Sequence, residues 1–335
     1  MGIEFARASQ EATFYNPLED FQETTIEVEV RTDPLTGRQT RLVPESFLMP
    51  EEEPDLTPVV EDDEGCFFCP EMVGDATPKY PDFVGVDRGA VGEATAFPNL
   101  NPYGQHSNVV VLTEDHYVPI DEFTPAIFRD GFQAALEYVH AVFDHDDAAD
   151  VASLNMNYLR SAGSSIIHPH IQTLVDGRGT TAQRERFEAA RAFYEDQGRD
   201  YWEALLEKDR AGPRHVGSTG SVEWLAPFAP RHHRHVLGIL PSTDVPDPES
   251  TAVKELAAGL VNVLDYYANV GLNSFNVGFH LVRDDPSVRP VVDVVARSVF
   301  DEYYWSDATF FETIHDEAVI DVSPSQYADE AAAHF

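Results

Sequence analysis

The segment His168-Pro169-His170 places two imidazoles on the same side of an extended chain, with a proline fixing the backbone between them. Gly163-Ser164-Ser165 precedes it and Gln172 follows on the same face, so Ser165, His170 and Gln172 can converge. An imidazole whose one nitrogen is held by a backbone carbonyl offers the other as a nucleophile at neutral pH. Hydroxyl and amide donors beside it would stabilise charge developing on an attacked phosphorus. That combination suits phosphorus transfer better than acyl transfer. The bland alternative, a polar strand face, explains the two histidines but not their neighbours.

Cys66 and Cys69 are the only cysteines, two residues apart. A thiolate pair at this spacing can fill two corners of a tetrahedral zinc site, with two further ligands from elsewhere. A redox pair is the weaker reading, because Pro70 follows directly and no thioredoxin-like helix start is present. Among the 13 histidines, His106, His116, His140, His145, His168 and His170 are the candidate partners in the first half. A third concentration of chemistry is Arg231-His232-His233-Arg234-His235, the densest basic cluster in the chain. It reads either as a solvated loop or as a patch for phosphate or sugar phosphate, with Arg160 and Arg178 as weaker candidates.

The elements that must position these residues follow from hydrophobic periodicity. Apolar residues recur at helical spacing over Pro125–Phe143 and Thr251–Val270, and Thr181–Asp209 is charged and helix-prone. Strand-like runs occupy Thr25–Arg31, Ala94–Pro98, Ser107–Leu112, Val151–Leu159, Ile166–Val175, Ser221–Phe228, His235–Leu240, Ser274–Val282 and Pro290–Val295. Asp33-Pro34-Leu35-Thr36-Gly37 is a turn, and Glu45–Glu64 reads as an extended connector. Strand, strand, helix, strand, strand occurs twice. The expectation is an α+β fold from an internal duplication, an antiparallel sheet with a covering helix in each half, divided as 1–210 and 211–335.

The net charge is −37, with acidic residues spread along the whole chain. Such a surface repels phosphate backbones and anionic lipids, which argues against nucleic-acid or membrane partners. It fits a cytosol of very high salt, so the source is expected to be a halophilic archaeon. No apolar run approaches the roughly 20 residues that span a bilayer, and the first ten residues lack a signal sequence, so a cytoplasmic protein is expected.

Taken in order, the motifs resemble those of the galactose-1-phosphate uridylyltransferases, a branch of the histidine-triad superfamily. Asp33-Pro34-Leu35-Thr36-Gly37 is similar to the N-P-L-T-G turn, Cys66 and Cys69 to the C-x-x-C pair, and Phe97-Pro98-Asn99 to F-x-N. Thr113-Glu114-Asp115-His116 is similar to S-P-D-H. Asn157, Gly163, Ser165, His168, Pro169, His170 and Gln172 match N…G-x-S-x-x-H-P-H-x-Q. The second half matches more faintly, around Phe279-His280 and Ser323-Pro324.

The resemblance implies roles. Cys66, Cys69, His116 and His168 would hold one structural zinc ion, and His170 would attack the α-phosphorus of a UDP-sugar. Sugar 1-phosphate would leave, and a second sugar 1-phosphate would take the uridylyl group in ping-pong fashion. Ser165 and Gln172 would contact phosphoryl oxygens, and Phe97, Asn99 and Asn157 the nucleotide. It also implies a duplicated α+β unit, a homodimer and a place in galactose and wider carbohydrate metabolism.

Two departures stand out. The family's basic stretch, H-R-x-x-R-P, has no counterpart in Glu45-Ser46-Phe47-Leu48-Met49-Pro50. That favours, as an alternative, adenylyl transfer or nucleotide phosphorolysis; a non-catalytic, zinc-stabilised nucleotide binder is the third reading. The family's second metal site ends in H-x-H, where this chain has Val291-Val292-Asp293, leaving mainly His280 and Glu185. A second metal is expected to be absent.

Overall fold

A computed structural model of the chain describes residues 2–44, 55–60, 64–298 and 306–335. Strands β1 (Arg7–Asn16), β2 (Gln22–Thr32) and β3 (Gln39–Leu42) precede helices α1 (Thr57–Val60) and α2 (Pro70–Ala76). The first half continues with β4 (Gly89–Val91), β5 (Ala94–Pro98), β6 (His106–Val111), α3 (Pro125–His145), β7 (Val151–Tyr158), β8 (His170–Asp176), α4 (Thr181–Gln197) and α5 (Tyr201–Asp209). The second contains β9 (His215–Thr219), β10 (Val222–Leu225), β11 (Val236–Ile239), α6 (Thr251–Asn269), β12 (Ser274–Val282) and β13 (Val291–Arg297). It ends with α7 (Phe310–His315), β14 (Ala318–Ile320) and α8 (Pro324–Ala332).

The α+β expectation holds. Among the described residues, ten strands form one antiparallel sheet in the order β4-β5-β6-β8-β7-β12-β13-β11-β10-β9. Reading inward from either end gives the same plan: three strands, then the strand that follows the inner one, then the inner strand itself. The halves meet where β7 pairs with β12, with Asn157 opposite Asn276. Duplication, faint in the residues, is therefore explicit in the topology.

Alternation along the strands divides the layers. Val110, Leu154, Met156, Ile171, Val277, Phe279, Val292 and Val294 join the main core beneath α3 and α6. Val109 and Val111 instead face Phe68 and Phe97, and Leu225, Leu237, Ile239 and Val291 face Tyr201, Trp202, Leu205 and Leu206. Helices α3 and α6 thus cover one face, and the opposite face carries polar residues between an apolar patch at Phe68 and Phe97 and another under α5. Each long helix starts on a capping hydroxyl: Ile127 N donates to Thr124 Oγ1 and Val253 N to Ser250 Oγ, both at 3.4 Å.

Three local differences from the sequence reading have physical causes. The span 181–209 is two helices, because Gly198 adopts φ +70° as the cap of α4 and Asp200 caps α5. β8 begins at His170 rather than Ile166; Pro169 has no N–H for the ladder, although its carbonyl accepts from Leu112 N at 3.0 Å. β1 pairs with β2 as a long exposed arm in a second sheet, β1-β2-β3-β14, whose β3–β14 pairing is parallel. With no buried face, β1 lacks the alternation that marks a strand. Of the expected connector Glu45–Glu64, residues 45–54 and 61–63 lie outside the described residues, and Thr57–Val60 is a helical turn. Among the described residues no helix is long and apolar enough to cross a membrane.

Candidate active site

Phe97, Asn99, Asn157, Ser165, His170 and Gln172 line a single cleft of about 220 Å³ on the polar face of the sheet. They come from three strands and two loops, so the common wall is a product of the fold rather than of sequence proximity. His170 opens β8 and is 8% exposed. Its Nδ1–H donates to the His168 carbonyl at 2.9 Å, which leaves the Nε2 lone pair without a protein partner among the described residues. Burial lowers its pKa, with the carbonyl bond opposing, so the neutral tautomer is favoured. An imidazole in this state is a nucleophile whose developing positive charge already has an acceptor on the far nitrogen.

The other cleft residues are oriented by neighbours. Asn99 Oδ1 accepts from Asn101 N at 3.0 Å, while its Nδ2 is buried with no partner among the described residues. A buried donor left unmatched costs about 1–3 kcal/mol, so this amide is suited to a ligand acceptor. Asn157 Oδ1 accepts from Asn276 Nδ2 at 2.7 Å; Asn276 Oδ1 accepts from Arg297 Nη1 at 2.9 Å; Arg297 Nε pairs with both oxygens of Asp307 at 2.8 Å. This relay from the second half fixes the Asn157 amide. Gly163 has φ +92°, which only glycine adopts easily, and turns the chain from β7 into the loop bearing Ser165 and His168. Phe68, between the two cysteines, lies edge-on to His170 at 5.2 Å and to His168 at 6.3 Å. Phe68, Asn276 and Arg297 were not singled out by sequence; the C-F-F-C spelling was the one available signal.

Cys66, Cys69, His116 and His168 bring four ligand atoms within 4.8 Å of one another, an arrangement that could hold one metal ion. Cys69 Sγ lies 3.4 Å from His116 Nδ1 and 3.6 Å from His168 Nδ1, and Cys66 Sγ lies 3.9 Å from His168 Nδ1. Tetrahedral coordination at about 2.1–2.3 Å requires edges of roughly this length. His168 Nε2–H donates to the Thr113 carbonyl at 2.8 Å, which turns Nδ1 toward the sulfurs. The same residue therefore faces the ligand cluster with its ring and holds His170 with its carbonyl. Of the other candidate partners, His106 pairs with Asp146 at 3.1 Å, His140 meets the Pro246 carbonyl at 3.1 Å, and His145 stacks on Phe83 at 4.1 Å. None of these three joins the cluster.

Around Asp293, the residue that ends the Val291-Val292-Asp293 strand segment, the structure has an internal ion pair. Glu185 is exposed and takes no part; its neighbour Arg186 is buried and grips Asp293 with two bonds of 2.7 and 2.9 Å. His235 Nε2 and His280 Nε2 each lie 2.9 Å from the same carboxylate. Asp293→Ala would strand the Arg186 charge and is expected to lower unfolding free energy by about 3–5 kcal/mol. An unchanged denaturant midpoint would contradict this.

The chain matches no family model. An uncharacterized protein of Archaeoglobus fulgidus is 35% identical over 305 residues, covering 90% of this chain and 91% of its own. The chain belongs to the family of that archaeal protein. Members of this family can be compared with solved structures through the present fold. An ADP-glucose phosphorylase from Arabidopsis thaliana, solved with bound ADP-glucose, superposes with a TM-score of 0.70 at 16% identity, over 91% of this chain and 98% of that one. A GalT-like protein from Arabidopsis thaliana gives 0.68 at 18% identity, and a uridylyltransferase 0.65 at 19%, with the same coverage of both chains. The chain thus has the same α+β fold as these structures.

Proposed function

We propose that this protein is a nucleotidyltransferase of the UDP-glucose:hexose-1-phosphate uridylyltransferase type, working through a covalent intermediate on His170. The observation that carries the reading is the His170 ring itself, pinned by Nδ1–H to the His168 carbonyl with Nε2 turned into a cleft of spare donors. In the first half-reaction the Nε2 lone pair attacks the α-phosphorus of a UDP-sugar. The N–P bond forms, the bond to the bridging oxygen breaks, and sugar 1-phosphate leaves with the electron pair. The ring becomes cationic, and its Nδ1–H···O=C bond becomes charge-assisted. In the second, an oxygen of another sugar 1-phosphate attacks the same phosphorus and the N–P electrons return to Nε2. Ser165 and Gln172 donate to the phosphoryl oxygens, and Asn99, Asn157 and Phe97 hold the nucleotide. A zinc ion on Cys66, Cys69, His116 and His168 would supply rigidity to the loop that carries the His168 carbonyl.

A second reading keeps His170 and changes the substrate to an adenine nucleotide, by adenylyl transfer or phosphorolysis. It is favoured by the absence of the arginine-bearing stretch after the Asp33–Gly37 turn. The wider setting we propose is a cytoplasmic homodimer in a high-salt cell, serving sugar metabolism, with the halves divided near residue 210. The test is intact mass after incubation with UDP-glucose or ADP-glucose. A uridylyl increment mapping to His170 is expected; an adenylyl increment would transfer the assignment to the second reading. Tight nucleotide binding without any adduct would leave a non-catalytic binder and end both.

A further inference from the structure

Beyond the Asn157–Asn276 contact lies a second cavity of about 320 Å³, open on one side, in the C-terminal half of the sheet. The basic cluster 231–235 divides around it. His233 Nδ1 and Arg234 Nη1 both reach Asp321 Oδ1, at 3.1 and 2.9 Å, and His235 turns to Asp293. Arg231 and His232 line the cavity, together with His280 and the Asn276–Arg297 pair that fixes Asn157.

Most of the charge around it is already matched. Asp293 accepts two bonds from Arg186 and one each from His235 and His280, and Arg297 is paired with Asp307. Arg231 makes no ion pair with a carboxylate of the described residues, in a chain of net charge −37. Two ring nitrogens are also buried and unpartnered among the described residues: His232 Nε2 and His280 Nδ1. In each ring the other nitrogen donates, His232 Nδ1–H to the Ala296 carbonyl at 3.1 Å and His280 Nε2–H to Asp293 at 2.9 Å. Both free nitrogens therefore carry lone pairs and can only accept. His232 is 8% exposed and lines the cavity, so its free nitrogen is shielded from bulk water.

A cation is a poor occupant beside an unmatched guanidinium. The complementary ligand has an anionic group for the planar fork of Arg231 and hydroxyls for the two nitrogens. We propose that this cavity binds a sugar monophosphate, its phosphate on Arg231 and its hydroxyls donating to His232 Nε2 and His280 Nδ1. The site goes beyond the covalent chemistry at His170 and does not depend on it.

The test is calorimetric titration of the full chain carrying His170→Asn, which prevents turnover, with glucose 1-phosphate as probe. In that background Arg231→Gln is expected to weaken binding at least tenfold, about the worth of one charge-assisted hydrogen bond. Arg231→Lys, keeping charge without the fork, should fall between. The backbone N–H of residue 231, which donates to His235 Nδ1 at 3.1 Å, survives both changes. Inorganic phosphate should bind at least tenfold more weakly than glucose 1-phosphate. Saturating UDP-glucose should leave the affinity unchanged if a free sugar monophosphate is the occupant. Displacement by UDP-glucose of the binding that depends on Arg231 would instead assign the cavity to the sugar end of a nucleotide sugar and overturn the proposal. Indifference to Arg231→Gln, loss on Phe97→Ala, or equal affinity for inorganic phosphate would each overturn it as well.

Discussion

Replacing His170 by asparagine is expected to lower turnover at least about 10⁴-fold and to remove any nucleotidyl adduct, because no other group in the cleft can form the N–P bond. Asparagine is a fair probe. Its amide N–H can still donate toward the His168 carbonyl, and the side chain is polar and compact enough for a position that is 8% exposed. Loss of activity would then report chemistry rather than folding, which an unchanged unfolding midpoint should verify. Ser165→Ala and Gln172→Ala keep the nucleophile and remove only donors to the phosphoryl oxygens. Their cost should be smaller, about 10²–10³ in kcat, the range of a single oxyanion donor. The two classes also differ in kind: the donor variants should still accumulate adduct, slowly, whereas His170→Asn should never do so. Multiple turnovers by His170→Asn would sink the covalent mechanism outright.

The second large effect is expected at the cysteine–histidine cluster. Stripping metal from the intact protein, or Cys69→Ser, should cost about 5 kcal/mol or more and lower the unfolding temperature by about 10 °C or more. Cys69 is 4% exposed and His168 fully buried, so without an ion two thiols and two imidazoles would crowd a site that offers them little solvation. The effect should also reach the cleft. The His168 carbonyl that orients His170 belongs to a residue whose ring faces the sulfurs, so stripped protein should lose turnover at temperatures where it is still folded. Metal content, scanning calorimetry and turnover measured on one preparation test this together. Full activity and an unchanged transition in metal-free protein would remove the cluster from any supporting role.

Much of this site is legible in the sequence because its chemistry is concentrated in short spacings. C-x-x-C and H-P-H-x-Q each put several functional atoms within a few residues, and local geometry then fixes which side they face. What remained hidden depends on partners far apart in the chain. Asn276 looks like any polar strand residue until β12 pairs with β7 and sets it against Asn157. Glu185 and Arg186 are adjacent, and only the docking of α4 decides that the arginine turns inward to Asp293. Strand β1 escaped for the opposite reason: periodicity reveals a strand through the face it buries, and this one buries none, whereas its partner β2 alternates and was legible over Thr25–Arg31. Helices α3 and α6, each with a broad apolar stripe and a capping residue in front, were readable almost to their ends.

The joining of the two halves through β7 and β12 has a consequence for how the molecule keeps company with other molecules. In a separate half, the inner strand would present eight or nine residues of unpaired backbone, a template for adding strands from any neighbour. Joined, those two edges satisfy each other. The sheet is left with β4, three residues long, at one end and β9, five residues long and packed against α8, at the other. Concentrated salt screens the charge repulsion between acidic chains and strengthens apolar attraction, so colloidal safety there cannot rest on surface charge alone. Within this ten-stranded sheet, placing the two inner strands edge to edge at the seam supplies a protection that no ionic strength can screen.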